Sequence, residues 1–171
     1  RNLGIAAAKG KYAYFIDADD VLKAGAIEKF VTEMRMGKKC DLLVFGYEIQ
    51  YSDGRIKTYS YRKREISGED IRKNYEQSMV IGEPMAIQGM LCNKLFSLEL
   101  VRQYGICFPD LRRGEDEVFI MSYVDKICGV KFIPDILYEY RQDEYQYLCK
   151  YTDDFYKSVL EIRNYYIRIV Y

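Results

Sequence analysis

Hydrophobic and polar positions along this chain fall into short blocks, each of which can be assigned to one element. Residues 1–9, RNLGIAAAK, carry small apolar side chains and predict the end of a helix, with Gly10 in the C-terminal capping slot. YAYFI at 12–16 is apolar without alternation, the pattern of a strand covered on both faces, for which parallel sheets are the usual setting. It runs straight into Asp17-Ala18-Asp19-Asp20. A helix is predicted to begin four residues beyond Asp20. Its apolar positions Ile27, Phe30, Val31 and Met34 are spaced i, i+3, i+4, i+7, and Gly37 marks its end.

DLLVFGYEIQY (41–51) predicts a strand, Ser52-Asp53-Gly54 a turn, and RIKTYSYR (55–62) an antiparallel return with Tyr59 and Tyr61 on one face. Ser67 is the expected N-cap of a helix reaching residue 79, with Asp70 in the reciprocal position. GEPMAIQGM (82–90) has loop composition, LCNKLF (91–96) predicts a short strand, and Ser97 opens a short helix ended by Gly105. After the loop PDLRRG (109–114) comes a helix striped by Ile120, Tyr123, Val124 and Ile127, with Asp116 one turn earlier on the same face. Two strands are predicted at 130–133 and 136–141. A last helix from Asp153 presents Phe155, Val159, Ile162, Tyr166 and Ile169 on one side, with Lys157, Glu161, Asn164 and Arg168 opposite. Leu160 and Val170 widen its apolar stripe, so it could cover the core, pair with a second copy or lie on a membrane surface; core packing is the default. The expected class is α/β, with a mixed sheet flanked by helices over 1–150 and a C-terminal helix over 151–171 packed on it.

Composition narrows the chemistry. The 171 residues, 49% hydrophobic and 30% charged, suit one folded domain. Lys plus Arg (26) balances Asp plus Glu (26), so there is no general pull toward nucleic acid, and no nucleic-acid partner is expected. Histidine is absent, which removes the commonest general base and the commonest transition-metal ligand. Acid–base or metal chemistry therefore falls to carboxylates, Lys, Tyr or Cys. The cysteines (Cys40, Cys92, Cys107, Cys128 and Cys149) are odd in number and form no C-x-x-C pair, so reduced thiols and a cytoplasmic setting are expected. No apolar run approaches the roughly 18 residues of a membrane span. A start at Arg1, inside a predicted helix, suggests a piece of a longer protein.

The acidic loop after the apolar strand is the most informative feature. Crowded carboxylates repel one another unless a cation or hydrogen-bond donors neutralise them. A hard ion such as Mn²⁺ or Mg²⁺ takes oxygen ligands, typically one or two carboxylates together with substrate phosphates. The alternative is a solvated loop whose aspartates cap the next helix. Two enzyme classes use such a loop. FIDADDVL is similar to the first motif of haloacid-dehalogenase-like phosphohydrolases, which would make Asp17 a nucleophile. Glycosyltransferases instead hold a nucleotide-sugar diphosphate through a metal at a D-x-D loop.

Three stretches favour the second class. RNLGIAAAKGKYAYFIDADDVL (1–22) resembles the middle of family 2 glycosyltransferases, inverting enzymes of the GT-A fold; NKLFSLELVRQYGICFPDLRRGEDEVFIMSYV (93–124) resembles their acceptor side, and ILYEYRQ (136–142) their closing Y-x-Y-R strand. The resemblance implies a partial GT-A fold and a transfer from a nucleotide-diphosphate sugar donor to a sugar or lipid-linked hydroxyl acceptor. It implies Asp17 and Asp19 as ligands of Mn²⁺ or Mg²⁺. Asp17, Asp20 and Arg1 are placed on the donor side, with Asp20 supporting the loop. Asp116 becomes the base toward the acceptor hydroxyl, with Glu115 positioning it. Taken without its flanking motif, Asp116 would read first as an acid matched to a helix dipole.

Departures from the family pattern shape further expectations. The family's N-terminal half is absent from these residues, so little or no transfer is expected of this piece alone, and a non-catalytic interaction module is an alternative. With no Trp, the processive Q-x-x-R-W signature is missing and single-sugar addition is expected. Peripheral membrane association at the inner face and a homodimer complete the expected partners. Arg112 and Arg113 could meet a phosphate-bearing acceptor, though solvated loop charges are the simpler reading. QDEYQY after Arg141 carries more acid than the family pattern leads one to expect.

Overall fold

The computed structural model describes residues 1–37, 39–79, 87, 89–142 and 155–170. Expectations about the 82–90 loop, the acidic run 143–147 and Cys149 lie wholly or largely outside these residues. In chain order the elements are α1 (Asn2–Ala7), β1 (Tyr12–Tyr14), β2 (Val21–Leu22), α2 (Ala26–Arg35), β3 (Leu42–Tyr51), β4 (Ile56–Tyr59) and β5 (Arg64–Ser67). Then follow α3 (Gly68–Lys73), α4 (Tyr75–Met79), β6 (Lys94–Ser97), α5 (Leu98–Gln103), α6 (Glu115–Val124), β7 (Gly129–Gln142) and α7 (Phe155–Val170). The sheet is mixed. Its path is β1-β6-β3-β7-β2, with β4 added to β3 and β5 to β7.

The central pair, β3 and β7, is parallel, and the other pairings are antiparallel. Parallel neighbours need a long crossover, here supplied by everything from β4 to α6. Alternation along β3 sends Leu42 and Val44 into one core with Phe96, Phe119, Tyr123 and Phe132. Leu43 and Phe45 point the other way, against Phe30, Ile133 and Tyr138. Both faces are thus buried, which explains the continuous apolar run of β3. Gly46 sits where the β3–β7 register shifts. A Cβ there would lie 2.8 Å from the Tyr59 carbonyl and 3.0 Å from that of Asp135, so the close approach demands glycine.

Several expectations are corrected. YAYFI is not a parallel strand: β1 spans three half-buried residues at the sheet edge and pairs antiparallel with β6. Its two faces do meet the two cores, Ala13 and Phe15 on one side and Tyr12 and Tyr14 on the other, while Ile16 is exposed. Its apolar character serves ring packing at the strand end, where Phe15 meets Phe96, Phe108 and Phe119 edge-on. Helix α1 ends at Ala8, two residues before Gly10. The predicted strands at 130–133 and 136–141 are one strand, β7, running through Pro134. In α2 the buried face is Ala26, Phe30 and Glu33, leaving Ile27 and Val31 exposed. Ser67 caps its helix, accepting from the Asp70 amide, but Asp70 answers by accepting from the Ser67 hydroxyl rather than from its backbone N–H, and Asn74 divides that helix in two. In α7, Ser158 is buried while Val159 is exposed, because the helix meets the core through Tyr165 and Tyr166. Its Ile162 lies against Gly114, where a Cβ would collide. Among the described residues no helix is long and apolar enough to cross a membrane.

Candidate active site

The site forms where the loop after β1 meets the start of α6. Asn2 fixes the geometry by donating from Nδ2 to the Phe108 carbonyl (2.9 Å) and accepting at Oδ1 from the Phe108 amide (2.9 Å). This reciprocal pair docks the first turn of α1 onto Phe108, whose ring in turn stacks on Phe119 at 4.2 Å. Arg1 is thereby held above the Phe108 ring, its guanidinium carbon 5.4 Å from the centroid.

From there Arg1 reaches both acidic clusters. Its Nη1 donates to Glu115 Oε1 at 3.0 Å and to Asp116 Oδ1, and its Nη2 lies 3.6 Å from Asp17 Oδ1. Asp17 and Asp116, far apart in sequence, thus share one cation. Gly114, at φ 76°, turns the chain into α6 so that Glu115, Asp116 and Glu117 occupy its first turn, where the helix dipole favours negative charge. Burial nevertheless pushes the Asp116 carboxyl up to about 6, opposed by Arg1 and reinforced by Glu115 and Asp17.

The aspartates of the loop divide their work. Asp20 accepts from the Tyr138 hydroxyl and from the Arg141 amide at 2.8 Å, tying the loop to β7. Burial raises its carboxyl while those two donors pull it back. Asp17 and Asp19 are exposed. Asp19 faces a cavity of about 610 Å³ lined also by Gln50, Tyr51, Ser52, Arg141 and Gln142. Among the described residues no group of three or more acidic or cysteine side chains is arranged as a ready metal cage. Two exposed carboxylates on one short loop fit a hard ion that completes its shell with phosphate oxygens and water.

Of the residues expected at the site, Arg1, Asp17, Glu115 and Asp116 come together, while Asp19 and Asp20 flank them on the same loop. Arg112 is exposed and enters none of these contacts. Three residues escape sequence reasoning. Asn2 and Phe108 do so because their partnership spans most of the chain. Lys94 is fully buried in β6 and donates to the Met90 carbonyl (2.7 Å) and Asn93 Oδ1 (2.6 Å). Burial pushes its amine down to about 8, with Cys92 and Asp116 acting the other way. A lone lysine inside the apolar stretch LCNKLF was the available signal.

Comparison with known proteins supplies the family and the fold. Residues 1–96 match the model of Glycosyl transferase family 2. The chain belongs to this family. Relatives include EpsH of Bacillus subtilis (strain 168), 24% identical over 95% of this chain and 46% of that protein. Another is the glycosyltransferase GlyG of Streptococcus pneumoniae serotype 4, 27% identical over 83% of this chain and 47% of that protein. The chain spans about half the length of these relatives. The crystal structure of S. aureus TarS 1–349 in complex with UDP-GlcNAc superposes with a TM-score of 0.68 at 19% identity, covering 96% of this chain and 45% of that one. The fold is therefore GT-A, seen here in part, and the phosphohydrolase alternative is not favoured.

Proposed function

We propose that this glycosyltransferase segment supplies the diphosphate-binding loop and the acceptor base of an inverting transfer from a nucleotide-diphosphate sugar to a hydroxyl acceptor. The observation that carries this is the convergence of Asp17 and Asp116 on one guanidinium. Asp17 and Asp19 would hold Mn²⁺ or Mg²⁺; such an ion, when bound, stabilises the negative charge of the departing diphosphate. Asp20 keeps the loop in place through Tyr138 and the Arg141 amide. Asp116 takes the proton from the acceptor hydroxyl as its oxygen bonds to the anomeric carbon and the carbon–oxygen bond to the diphosphate breaks. A carboxylate with its acidity shifted to about 6 by burial is a competent base near neutral pH. Glu115 and Arg1 set its position.

UDP-GlcNAc, the sugar nucleotide in the TarS complex, is the first donor to test. In a polypeptide carrying this chain, Asp116→Asn is expected to abolish transfer while Mn²⁺-dependent donor binding survives. Transfer persisting above a tenth of the wild-type rate would remove Asp116 from the role of base.

A further inference from the structure

Without a ligand, the proposed base is engaged. Asp116 accepts from Arg1, and every polar partner described for that guanidinium is a side-chain carboxylate: Asp17, Glu115 or Asp116. The pairs are partly open to solvent, with the Arg1 side chain 34% and that of Asp17 56% exposed. The Arg1–Asp116 pair itself keeps 34% and 31% side-chain exposure, so water and ligands still reach it and a better anion can displace the carboxylate. A diphosphate entering beside Asp17 presents paired oxygens that match a guanidinium fork better than a shared carboxylate does. The backbone of α1 need not move, because its first turn is held separately through Asn2 and Phe108.

We infer that Arg1 is an exchangeable counter-ion, which holds Asp116 closed in the donor-free protein and passes to the donor's diphosphate, so that donor binding exposes the acceptor base. This rests on the function proposed above and adds to it how the acceptor base is kept covered until a diphosphate takes its counter-ion. No covalent bond changes in the exchange. Arg1 stays cationic, the carboxylate–guanidinium pair gives way to a diphosphate–guanidinium pair, and Asp116 keeps its charge and becomes free to receive the hydroxyl proton.

Calorimetry with Mn²⁺ and, in turn, inorganic pyrophosphate, UDP and GDP tests the idea, followed by crystal structures with and without the diphosphate that binds. The expected complex has the Arg1 guanidinium on a diphosphate oxygen and beyond roughly 4 Å from Asp116. Arg1→Gln should weaken diphosphate binding about tenfold and Arg1→Lys should recover part of it, with thermal midpoints unchanged, a separation that a purely structural arginine would not produce. A guanidinium still seated on Asp116 with diphosphate bound, or an Arg1→Gln protein that binds as tightly as wild type, overturns the exchange alone. Failure of wild type to bind any of the three diphosphates overturns the parent function and the exchange with it.

Discussion

Two clusters of mixed charge in this molecule, one around Lys131 and one around Arg1, are held by different kinds of partner. The Lys131 amine, on β7 and almost wholly buried, donates to the backbone carbonyls of Glu33 (2.7 Å) and Met36 (2.5 Å). It also faces the carboxylates of Glu33 at 3.7 Å and Glu65 at 3.4 Å. Lys29 and Lys63 add further positive charge to Glu33. The result pins the end of α2 and strand β5 to the sheet, through partners that cannot leave without unravelling backbone. Arg1 is instead partly exposed and bound to side chains that outnumber it three to one in charge. Balanced charge tied to backbone serves the fold. Surplus negative charge gathered on one partly exposed cation is the arrangement a ligand could re-partner.

The sharpest break between the clusters is catalytic. Asp116→Asn should lower transfer by about 10²–10⁴-fold, the usual contribution of a positioned base. Lys131→Met, compared at equal folded fraction, should leave the rate unchanged. Equal losses in rate assays would erase the distinction. Stability should show the reverse pattern: Lys131→Met is expected to reduce the unfolding free energy by about 3 kcal/mol in urea titrations, since it removes the donor to the Glu33 and Met36 carbonyls and the buried charge facing Glu33 and Glu65.

A pH series sharpens the contrast further. The Asp116 carboxyl is raised from 3.8 to about 6 in the folded protein, so folding favours its protonated form. Its stabilising contribution is fully present below pH 3.8 and is lost as pH rises through about 6. The stability of Asp116→Asn relative to wild type should therefore climb across that window by about 1–2 kcal/mol, measured by denaturant midpoints. A flat difference would show that burial does not govern this carboxyl. The smallest effect concerns Asp19, which is exposed: Asp19→Asn should weaken Mn²⁺-dependent diphosphate binding about tenfold by calorimetry without moving the thermal midpoint.

Much of the fold was legible because periodicity and caps act locally. The stripe Ile120, Tyr123, Val124 and Ile127 is fully buried as its spacing predicts, and Ser67 caps its helix by accepting from the Asp70 amide. The β3–β4 hairpin follows from two strand-forming runs joined by a Ser-Asp-Gly turn. Periodicity failed where it reports apolarity without naming the neighbour. The rings of Tyr14 and Phe15 bind aromatic clusters at a sheet edge, and no count along the chain separates that from a central strand. In α2, Ile27 and Val31 lie on the apolar stripe but outside the face that Phe30 buries.

The residue string by itself determined the kind of chemistry open to this protein: carboxylates with no histidine, set in a D-x-D-D loop and a G-E-D helix start whose local patterns need no distant partner to be recognised. Only the tertiary structure decided that Asp17, Glu115 and Asp116 share Arg1, that Asp20 turns away to Tyr138, and that Lys94 lies buried behind them. The physical reason is range. Propensity and capping act over a few residues, whereas Coulomb attraction between side chains a hundred positions apart operates only after sheet order and ring packing have brought them within a few ångströms.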